Sequence, residues 1–282
     1  MRFPNLTFLK LGGSLITDKD QPETALIDQI DSLLIQIAEW RSANPTDWLL
    51  LGHGSGSFGH VAAAQYGTRQ GIHSHEDALG FQQVWYSARK LNQIIVEQAQ
   101  SLSLPLITFP PSACITADNR EIKGWNLQPM IKSFHMGFIP LVYGDVVSDL
   151  TLRGTILSTE DLFIYLARSL SPDRILLAGR IEGVYADYPS NQRLLSHICA
   201  RSDASEFLQG SASQDVTGGM LTKVQSMQAL CRELPSLSVQ IFSAVSPGAL
   251  RMALDGAAIG TTINILSRPL MDNTYNTRRG IA

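Results

Sequence analysis

A lysine followed by paired glycines, in the segment Lys10-Leu11-Gly12-Gly13-Ser14, comes directly after the apolar run Leu6-Thr7-Phe8-Leu9. Glycine lets the backbone turn with a positive φ and come close to a ligand, and the amides of such a turn can surround an anion. The segment is not a Walker A loop, because in that motif the lysine follows the glycines. A lysine beside such a turn predicts phosphate binding and indicates phosphoryl transfer.

Two further glycine turns carry basic residues. The segment from His53 to His60 reads His-Gly-Ser-Gly-Ser-Phe-Gly-His and follows a second apolar run. The segment from Asp215 to Lys223 contains Gly218-Gly219 and opens a stretch whose apolar residues have helical spacing. Glycines at a helix start leave free amides and the positive end of the helix dipole facing a bound anion. Three such turns are improbable as unrelated loops.

Composition excludes several classes of function. The chain has 282 residues, 44% of them hydrophobic, and a net charge of −3, so no global field favours nucleic acid or an anionic membrane. Its three cysteines are widely spaced and form no metal-binding pattern, which predicts free thiols in a reducing compartment. No apolar run reaches the ~18 residues that span a bilayer, and the first residues lack a signal-peptide core. We therefore expect a cytoplasmic protein.

Short apolar runs alternate with helical stripes along the chain. Two stripes with helical spacing run from Leu26 to Trp40 and from Phe81 to Ile95. This alternation predicts an α/β sheet covered on both faces, with ligands at the carboxyl ends of the strands, where the glycine turns lie. The runs that we predict as buried strands are Leu6–Leu11, Trp48–Gly52, Leu104–Phe109, Ile139–Tyr143, Arg174–Ala178, Val239–Ser243 and Thr262–Leu266.

Over almost its whole length the chain resembles the amino acid kinase superfamily and, within it, the isopentenyl phosphate kinase family. The resemblance rests on the three glycine segments and on four shorter ones: Ile16 to Lys19, Phe109 to Pro111, Tyr143 to Val146, and Gly183 to Tyr185. The most specific part is Gly-Ser-Phe-Gly-His ending at His60, which is also typical of fosfomycin kinase. The resemblance implies a three-layer αβα sandwich with a central, mostly parallel sheet.

The implied organisation is one domain over residues 1–282, with an acceptor-binding lobe at about 1–170 and a nucleotide-binding lobe at about 171–282. The implied activity is ATP- and Mg²⁺-dependent phosphorylation of isopentenyl phosphate to isopentenyl diphosphate, by direct in-line transfer, in isoprenoid biosynthesis. No residue is assigned to a metal. The expected partners are these small molecules and a second copy of the chain, since homodimers are the commonest assembly.

The resemblance also implies roles for single residues. Lys19 would stabilise the transferring γ-phosphoryl group, and His60 would bind the acceptor phosphate, although His60 could instead cap the following helix. Ser55 and Gly56 would offer amides to the two phosphates. The ATP phosphates would meet the ammonium groups of Lys10 and Lys223 and the backbone amides of Gly12, Gly13, Ser14, Gly218 and Gly219.

The chain departs from the family where relatives have Ser-Gly-Asp-Asp and this sequence has Ser158-Thr159-Glu160-Asp161. The glycine normally approaches the acceptor phosphate, so Thr159 takes that substrate-binding position. The first aspartate normally arranges the catalytic lysines, and we expect the carboxylate of Glu160 to lie between Lys10 and Lys223. The alternative is that Asp161 has taken over this role and Glu160 points to solvent.

Two questions stay open at the level of sequence. A helix carrying Phe81, Val84, Trp85 and Ala88 is either a wall for the acceptor's apolar tail or ordinary core packing. The chain could also be another kinase of the same fold, acting for example on fosfomycin, or a non-catalytic nucleotide-binding storage or regulatory protein. The presence of Lys10, Lys19 and Lys223 together argues against the non-catalytic class.

Overall fold

A computed structural model describes residues 3–59, 68–188, 190–204 and 219–266. Within these ranges the helices are α1 (Gly13–Ile16), α2 (Ile27–Ala43), α3 (His75–Ser101), α4 (Pro111–Cys114), α5 (Gln128–His135), α6 (Thr159–Leu170), α7 (Gly219–Glu233) and α8 (Ala249–Leu254). The strands are β1 (Leu6–Leu11), β2 (Trp48–His53), β3 (Leu106–Thr108), β4 (Ile115–Asp118), β5 (Glu121–Trp125), β6 (Ile139–Tyr143), β7 (Asp145–Asp149), β8 (Arg153–Leu157), β9 (Arg174–Gly179), β10 (Val184–Tyr185), β11 (Leu194–Leu195), β12 (His197–Cys199), β13 (Ser238–Ser243) and β14 (Thr261–Asn264).

The central sheet has eight strands in the order β12-β14-β13-β9-β1-β2-β6-β3. Every neighbouring pair is parallel except β13 with β14. All seven predicted strands lie in this sheet, so the predicted mostly parallel sheet is confirmed. Parallel strands need crossovers, and the helices between them supply these.

Helices cover both faces of the sheet, and the apolar side chains of β1 alternate between the two faces. Leu6 and Phe8 pack in one cluster with α6 and α7, whereas Leu9 and Leu11 pack in another with α2 and α3. Residues two apart on a strand share a face, so one strand feeds both cores. Each fully buried side chain of this size contributes about 1.5–3 kcal/mol. The predicted three-layer arrangement is therefore confirmed.

A second sheet was not predicted. It has the order β5-β4-β7-β8, and β7 lies against α3. Val84 of α3 and Val146 of β7 form the small buried cluster between them. Strand β7 of this sheet follows β6 after a single residue, Gly144, so the second sheet begins at the carboxyl end of a central strand.

Among the helices that the structure describes, none has the length and apolar character needed to cross a membrane.

Candidate active site

Strand β1 presents Lys10 to the face of the sheet that α6 covers. Lys10 lies two residues after Phe8, whose ring packs against Phe163 of α6 at 5.2 Å between centroids, so the two side chains share a face. Only 12% of the Lys10 side chain is exposed. Burial lowers the pKa of Lys10, and this effect is opposed by the nearby carboxylate of Glu160.

Glu160 supplies the partner of Lys10 from the first turn of α6. Its Oε2 accepts a hydrogen bond from Lys10 Nζ, and its Oε1 lies 3.5 Å from Lys223 Nζ. Burial would raise the pKa of Glu160, but the two ammonium groups outweigh it and hold this pKa well below its usual range. The structure thus places an ionised carboxylate between two lysines, in the position expected from the sequence. We call these three residues the lysine cluster.

The neighbouring carboxylate, Asp161, has a different partner. Its Oδ2 accepts hydrogen bonds from the backbone N–H of Ser158 at 2.8 Å and from the Ser158 hydroxyl at 2.7 Å. The Asp161 N–H donates in turn to Ser158 Oγ at 3.2 Å, which completes a capping box at the start of α6. This geometry contradicts the alternative in which Asp161 replaces Glu160 between the lysines.

Helix α6 can approach the sheet because Gly52 has no side chain. A Cβ at Gly52 would lie 2.7 Å from Thr159 Cγ2 and 2.8 Å from the Phe163 ring. Gly52 is the residue of β2 that pairs with Lys10 of β1. The glycine therefore lets the first turn of α6 lie over Lys10.

Helix α7 brings Lys223 to the cluster. Lys223 lies four residues before the buried Met227, so both occupy the face of α7 that meets the sheet. The Lys223 side chain remains 35% exposed. Gly219, with φ +47°, begins this helix, whereas the predicted ligand Gly218 lies outside the described residues.

The first and second glycine turns are in contact with each other. Strands β1 and β2 are parallel neighbours, and their ends Leu11 and His53 are paired, so both turns leave the sheet at one place. A Cβ on Gly13 would lie 2.3 Å from the Gly56 nitrogen, and a Cβ on Gly54 would lie 2.7 Å from the Gly13 nitrogen. A side chain at either position would force the turns apart.

Four backbone amides at this contact are candidates for binding an anion. Those of Gly13, Ser14, Ser55 and Gly56 donate to no backbone acceptor among the described residues, and free amides in a turn favour a bound anion. The prediction for Gly12 is wrong, because its N–H donates to the Ala178 carbonyl of β9 at 2.8 Å. The lack of a side chain at Gly12 lets the turn approach β9, since a Cβ at this position would lie 2.9 Å from that same oxygen.

Thr159 does not offer its side chain to a ligand. The side chain is buried, and its hydroxyl donates a hydrogen bond to the His53 carbonyl at 2.6 Å. The prediction that Thr159 binds substrate is therefore wrong for the side chain, which joins α6 to the end of β2. A threonine fits here because its methyl group packs against Gly52.

A buried histidine, His53, supports the second glycine turn. His53 Nδ1 lies 3.0 Å from the Gly54 carbonyl, and its Nε2 lies 3.2 Å from Asn92 Nδ2 of α3. Burial lowers the pKa of His53 to about 4, so the ring is neutral, with Nδ1–H donating and Nε2 accepting. The ring stacks on Tyr143, and Asn92 Oδ1 accepts a hydrogen bond from Thr108 at 3.1 Å. His53 is a structural support, and only its three-dimensional neighbours reveal this.

Lys19 lies in an exposed loop, residues 18–24, that we call the Lys19 loop. Thr17 ties the start of this loop to both glycine turns, because its hydroxyl donates to the Gly13 carbonyl at 2.8 Å and accepts from the Ser57 N–H at 3.0 Å. Within the described ranges Lys19 makes no hydrogen bond or ion pair, so the structure does not bring it into the lysine cluster. His60 lies outside the described residues.

An apolar cleft of about 260 Å³ lies between α3 and β7. Phe81 and Trp85 form its α3 wall, and binding of an acceptor tail against them stays a prediction. Val84 and Ala88 are buried in the core instead, so that prediction is wrong for these two residues. The cleft is completed by Gln82, Ser112, Val146, Val147 and Ser148.

Comparisons with known proteins agree with this geometry. The profile of the amino acid kinase family matches residues 5–243. The chain is 34% identical to the isopentenyl phosphate kinase of Methanothermobacter thermautotrophicus, covering 92% of this chain and 98% of that protein. It is 34% identical to the isopentenyl phosphate kinase of Haloferax volcanii, covering 80% and 88%. A crystal structure of an isopentenyl phosphate kinase superposes with a TM-score of 0.77 at 29% identity, covering 92% of this chain and all of the other.

Proposed function

The chain belongs to the amino acid kinase family, and we propose that it transfers the γ-phosphoryl group of ATP to isopentenyl phosphate, which gives isopentenyl diphosphate for isoprenoid biosynthesis. One observation carries the proposal: the lysine cluster stands beside two joined glycine turns in a chain similar over nearly its whole length to proteins of that name. The site therefore offers both cations and amides to phosphate groups.

The lysine cluster suits the nucleotide phosphates. Glu160 holds two ammonium groups at the carboxyl edge and offsets part of their charge while no phosphate is bound. When ATP binds, Lys10 and Lys223 would meet its phosphate oxygens, with the amides of Gly13, Ser14 and Gly219 beside them. A unit charge pair at ~4 Å is worth about 4 kcal/mol at an effective dielectric of 20, so two lysines can hold a triphosphate firmly.

The acceptor would occupy the other side of the joined turns. The amide of Ser55 and the ring of His60 would hold its phosphate, and the Gly56 amide would lie between this phosphate and those of ATP. The alkenyl tail would enter the apolar cleft, whose α3 wall carries Phe81 and Trp85. Burying each methylene of such a tail is worth about 0.8 kcal/mol. All residues lining the cleft fall between positions 81 and 148, which supports an acceptor lobe over residues 1–170 and a nucleotide lobe over residues 171–282.

Transfer needs positioning and charge neutralisation more than proton removal. An oxygen of the acceptor phosphate attacks the γ-phosphorus, one P–O bond forms as the bond to ADP breaks, and the nucleophile is already ionised. Phosphoryl transfer depends mainly on holding the two groups in line and on stabilising the equatorial oxygens. Lys19 is the cation that would act on those oxygens.

We expect Mg²⁺ to arrive with ATP. Mg²⁺ is usually held by one or two carboxylates together with substrate phosphates, and the described residues contain no group of three or more His, Cys, Asp or Glu that could hold a metal. Glu160 is engaged by two lysines. In this proposal phosphate oxygens and water are the main ligands, and the ion lowers the charge that the lysines must neutralise.

The homodimer and the cytoplasmic location stay predictions from the sequence. The free thiols of Cys114, Cys199 and Cys231 support a reducing compartment. Size-exclusion chromatography with light scattering would measure the assembly, and a mass of one chain would contradict the dimer.

A substrate panel tests the function. We expect isopentenyl phosphate to give the highest kcat/KM when it is compared with dimethylallyl phosphate, fosfomycin and uridine monophosphate. His60→Ala should lower kcat/KM for isopentenyl phosphate by about 10- to 100-fold through loss of a charged hydrogen bond, with ATP affinity nearly unchanged. A tenfold preference for fosfomycin or uridine monophosphate would select the alternative kinases, and ATP binding without turnover would select a storage or regulatory protein.

A further inference from the structure

The Lys19 loop is closed firmly at its base. The Asp18 N–H donates to the Thr24 carbonyl at 2.9 Å, and Thr17 and Ala25 form an isolated antiparallel bridge. The Leu26 N–H donates to the Ile16 carbonyl, also at 2.9 Å. These bonds fix where the loop begins and ends. Around Lys19 the Asp20 N–H donates to Asp18 Oδ1 at 2.9 Å, a bond within the loop that does not fix its orientation relative to the rest of the site.

Glu23 connects this loop to α3. One carboxylate oxygen, Oε1, accepts a hydrogen bond from the Ser87 hydroxyl at 2.5 Å, and the other, Oε2, accepts from Lys90 Nζ at 2.9 Å. Ser87 is buried, so one end of the connection is inside the packed structure. Both partners lie on the helix whose Phe81 and Trp85 line the apolar cleft.

The backbone of Glu23 is in an unfavourable conformation. Its φ is +50°, in the left-handed region that residues other than glycine rarely adopt. Such a conformation persists where the surrounding contacts determine it, and such residues cluster at functional sites. Here the two hydrogen bonds of the carboxylate are contacts that hold it. The Glu23 N–H also donates to the Ser57 carbonyl at 3.5 Å. An alanine would keep the backbone cost and this backbone bond, and would lose both carboxylate contacts.

We propose that Glu23 is a positioning residue that orients Lys19 toward the reacting phosphates. The inference rests on the proposed role of Lys19 in transfer. Thr17 anchors the base of the Lys19 loop to both glycine turns, and Glu23 anchors its far side to the helix that lines the apolar cleft. The loop is therefore fixed to the elements that would hold ATP and to those that would hold the acceptor, and Lys19 lies between these anchors.

The kinetic test is a double-mutant cycle between Glu23 and Lys19. Glu23→Ala should lower kcat by about 10- to 100-fold through misplacement of a catalytic group, with KM for ATP within a few-fold of the parent. In a Lys19→Ala background the same change should alter kcat less than about twofold, because the residue through which Glu23 acts is gone. Glu23→Gln, whose amide oxygen can still accept from Ser87, should retain an intermediate rate.

Hydrogen exchange gives a readout that does not need activity. Glu23→Ala should speed exchange of the Asp18 amide, while Glu97→Ala, which removes a hydrogen-bonded glutamate that belongs to α3 itself, should change neither exchange nor kcat. Equal kcat losses in both backgrounds, or unchanged exchange at Asp18, would overturn the inference about Glu23. Inactivity of the parent toward isopentenyl phosphate would instead count against the proposed function, and the exchange result would still stand.

Discussion

The lysines of this site are held in two opposite ways. Lys10 and Lys223 share one carboxylate at the edge of the central sheet, and their positions are set by strand β1 and two helices. Lys19 is exposed and makes no ion pair among the described residues, and the loop that carries it is bonded to α3 through its own residue Glu23. The lysine cluster is organised before a ligand arrives. The proposed role of Lys19 differs from this, since Lys19 would pair with charge that develops only during transfer.

The largest effect should come from removing the shared carboxylate. Glu160→Gln should lower kcat by about 10²- to 10³-fold, because a neutral amide cannot pair with two cations and Lys10 is left buried without a counter-charge. Steady-state kinetics and thermal melting would measure the rate and the fold together.

Asp161→Asn is the matched control for this variant. It weakens only the capping box of α6, should cost about 1 kcal/mol of stability, and should leave turnover near normal. Near-normal turnover for Glu160→Gln with collapse for Asp161→Asn would place the organising charge on Asp161, against the geometry described above.

The second largest effect should come from removing Lys19, the exposed lysine of this comparison. Lys19→Ala should lower kcat by about 10²-fold and leave both Michaelis constants within a few-fold of the parent, since an interaction made mainly in the transition state changes turnover and not binding. Lys132→Ala, at an exposed position on α5, is the control and should behave as the parent. Parent-like turnover in Lys19→Ala would make Lys19 an ordinary surface residue.

A smaller effect on kcat/KM should come from a substitution in the apolar cleft. It compares recognition of the apolar tail with recognition of the charged phosphates. Trp85→Ala should raise kcat/KM for an alkyl phosphate two carbons longer, relative to isopentenyl phosphate, by about tenfold. Tyr86→Ala, next along α3 but outside the cleft and 53% exposed, should leave the ratio unchanged. An equal change in both variants would contradict a tail-binding role for the cleft.

The smallest effect concerns stability and not rate. Burial lowers the pKa of His53 to about 4 from an ordinary 6.5. Between pH 6.5 and pH 4 the His53 ring is therefore protonated in the unfolded chain and neutral in the folded chain. The contribution of His53 to the free energy of unfolding is fully present above pH 6.5 and decreases as the pH falls toward 4. Between pH 7 and pH 5 the parent should lose about 2 kcal/mol more unfolding free energy than His53→Gln, by urea denaturation. Parallel curves for the two proteins would contradict a neutral, buried His53.

The sequence predicted seven of the eight strands of the central sheet, but not the short edge strand β12. Strands such as β1, β2 and β6 could be predicted because they are apolar runs that are buried along nearly their whole length. The second sheet escaped prediction for the opposite reason. Strand β5, Glu121–Trp125, has polar and exposed residues along most of its length, and β7 begins two residues after β6, so its apolar residues look like an extension of that strand. This second sheet, which was not predicted, forms one wall of the apolar cleft. The cleft could therefore not be predicted either.

Within the site, charge was easier to predict than hydrogen bonding. A lysine in an apolar strand requires a partner, and the carboxylate at the start of α6 was the expected one. The amide of Gly12 and the hydroxyl of Thr159 are engaged by Ala178 and His53, residues distant in sequence. Which backbone groups stay free for a ligand depends on strand neighbours, and the sequence alone does not contain that information in a local pattern.

The proposed transfer between two phosphates can be observed directly by ³¹P NMR. With ATP, Mg²⁺ and isopentenyl phosphate, we expect the phosphomonoester signal to be replaced by the coupled pair of signals of a diphosphate ester, with one diphosphate ester formed for each ADP. Glu160→Gln at the same concentration should slow that conversion in proportion to its kcat. Release of inorganic phosphate without diphosphate ester, or no change in the acceptor signal, would contradict the assignment of this chain as a kinase acting on isopentenyl phosphate.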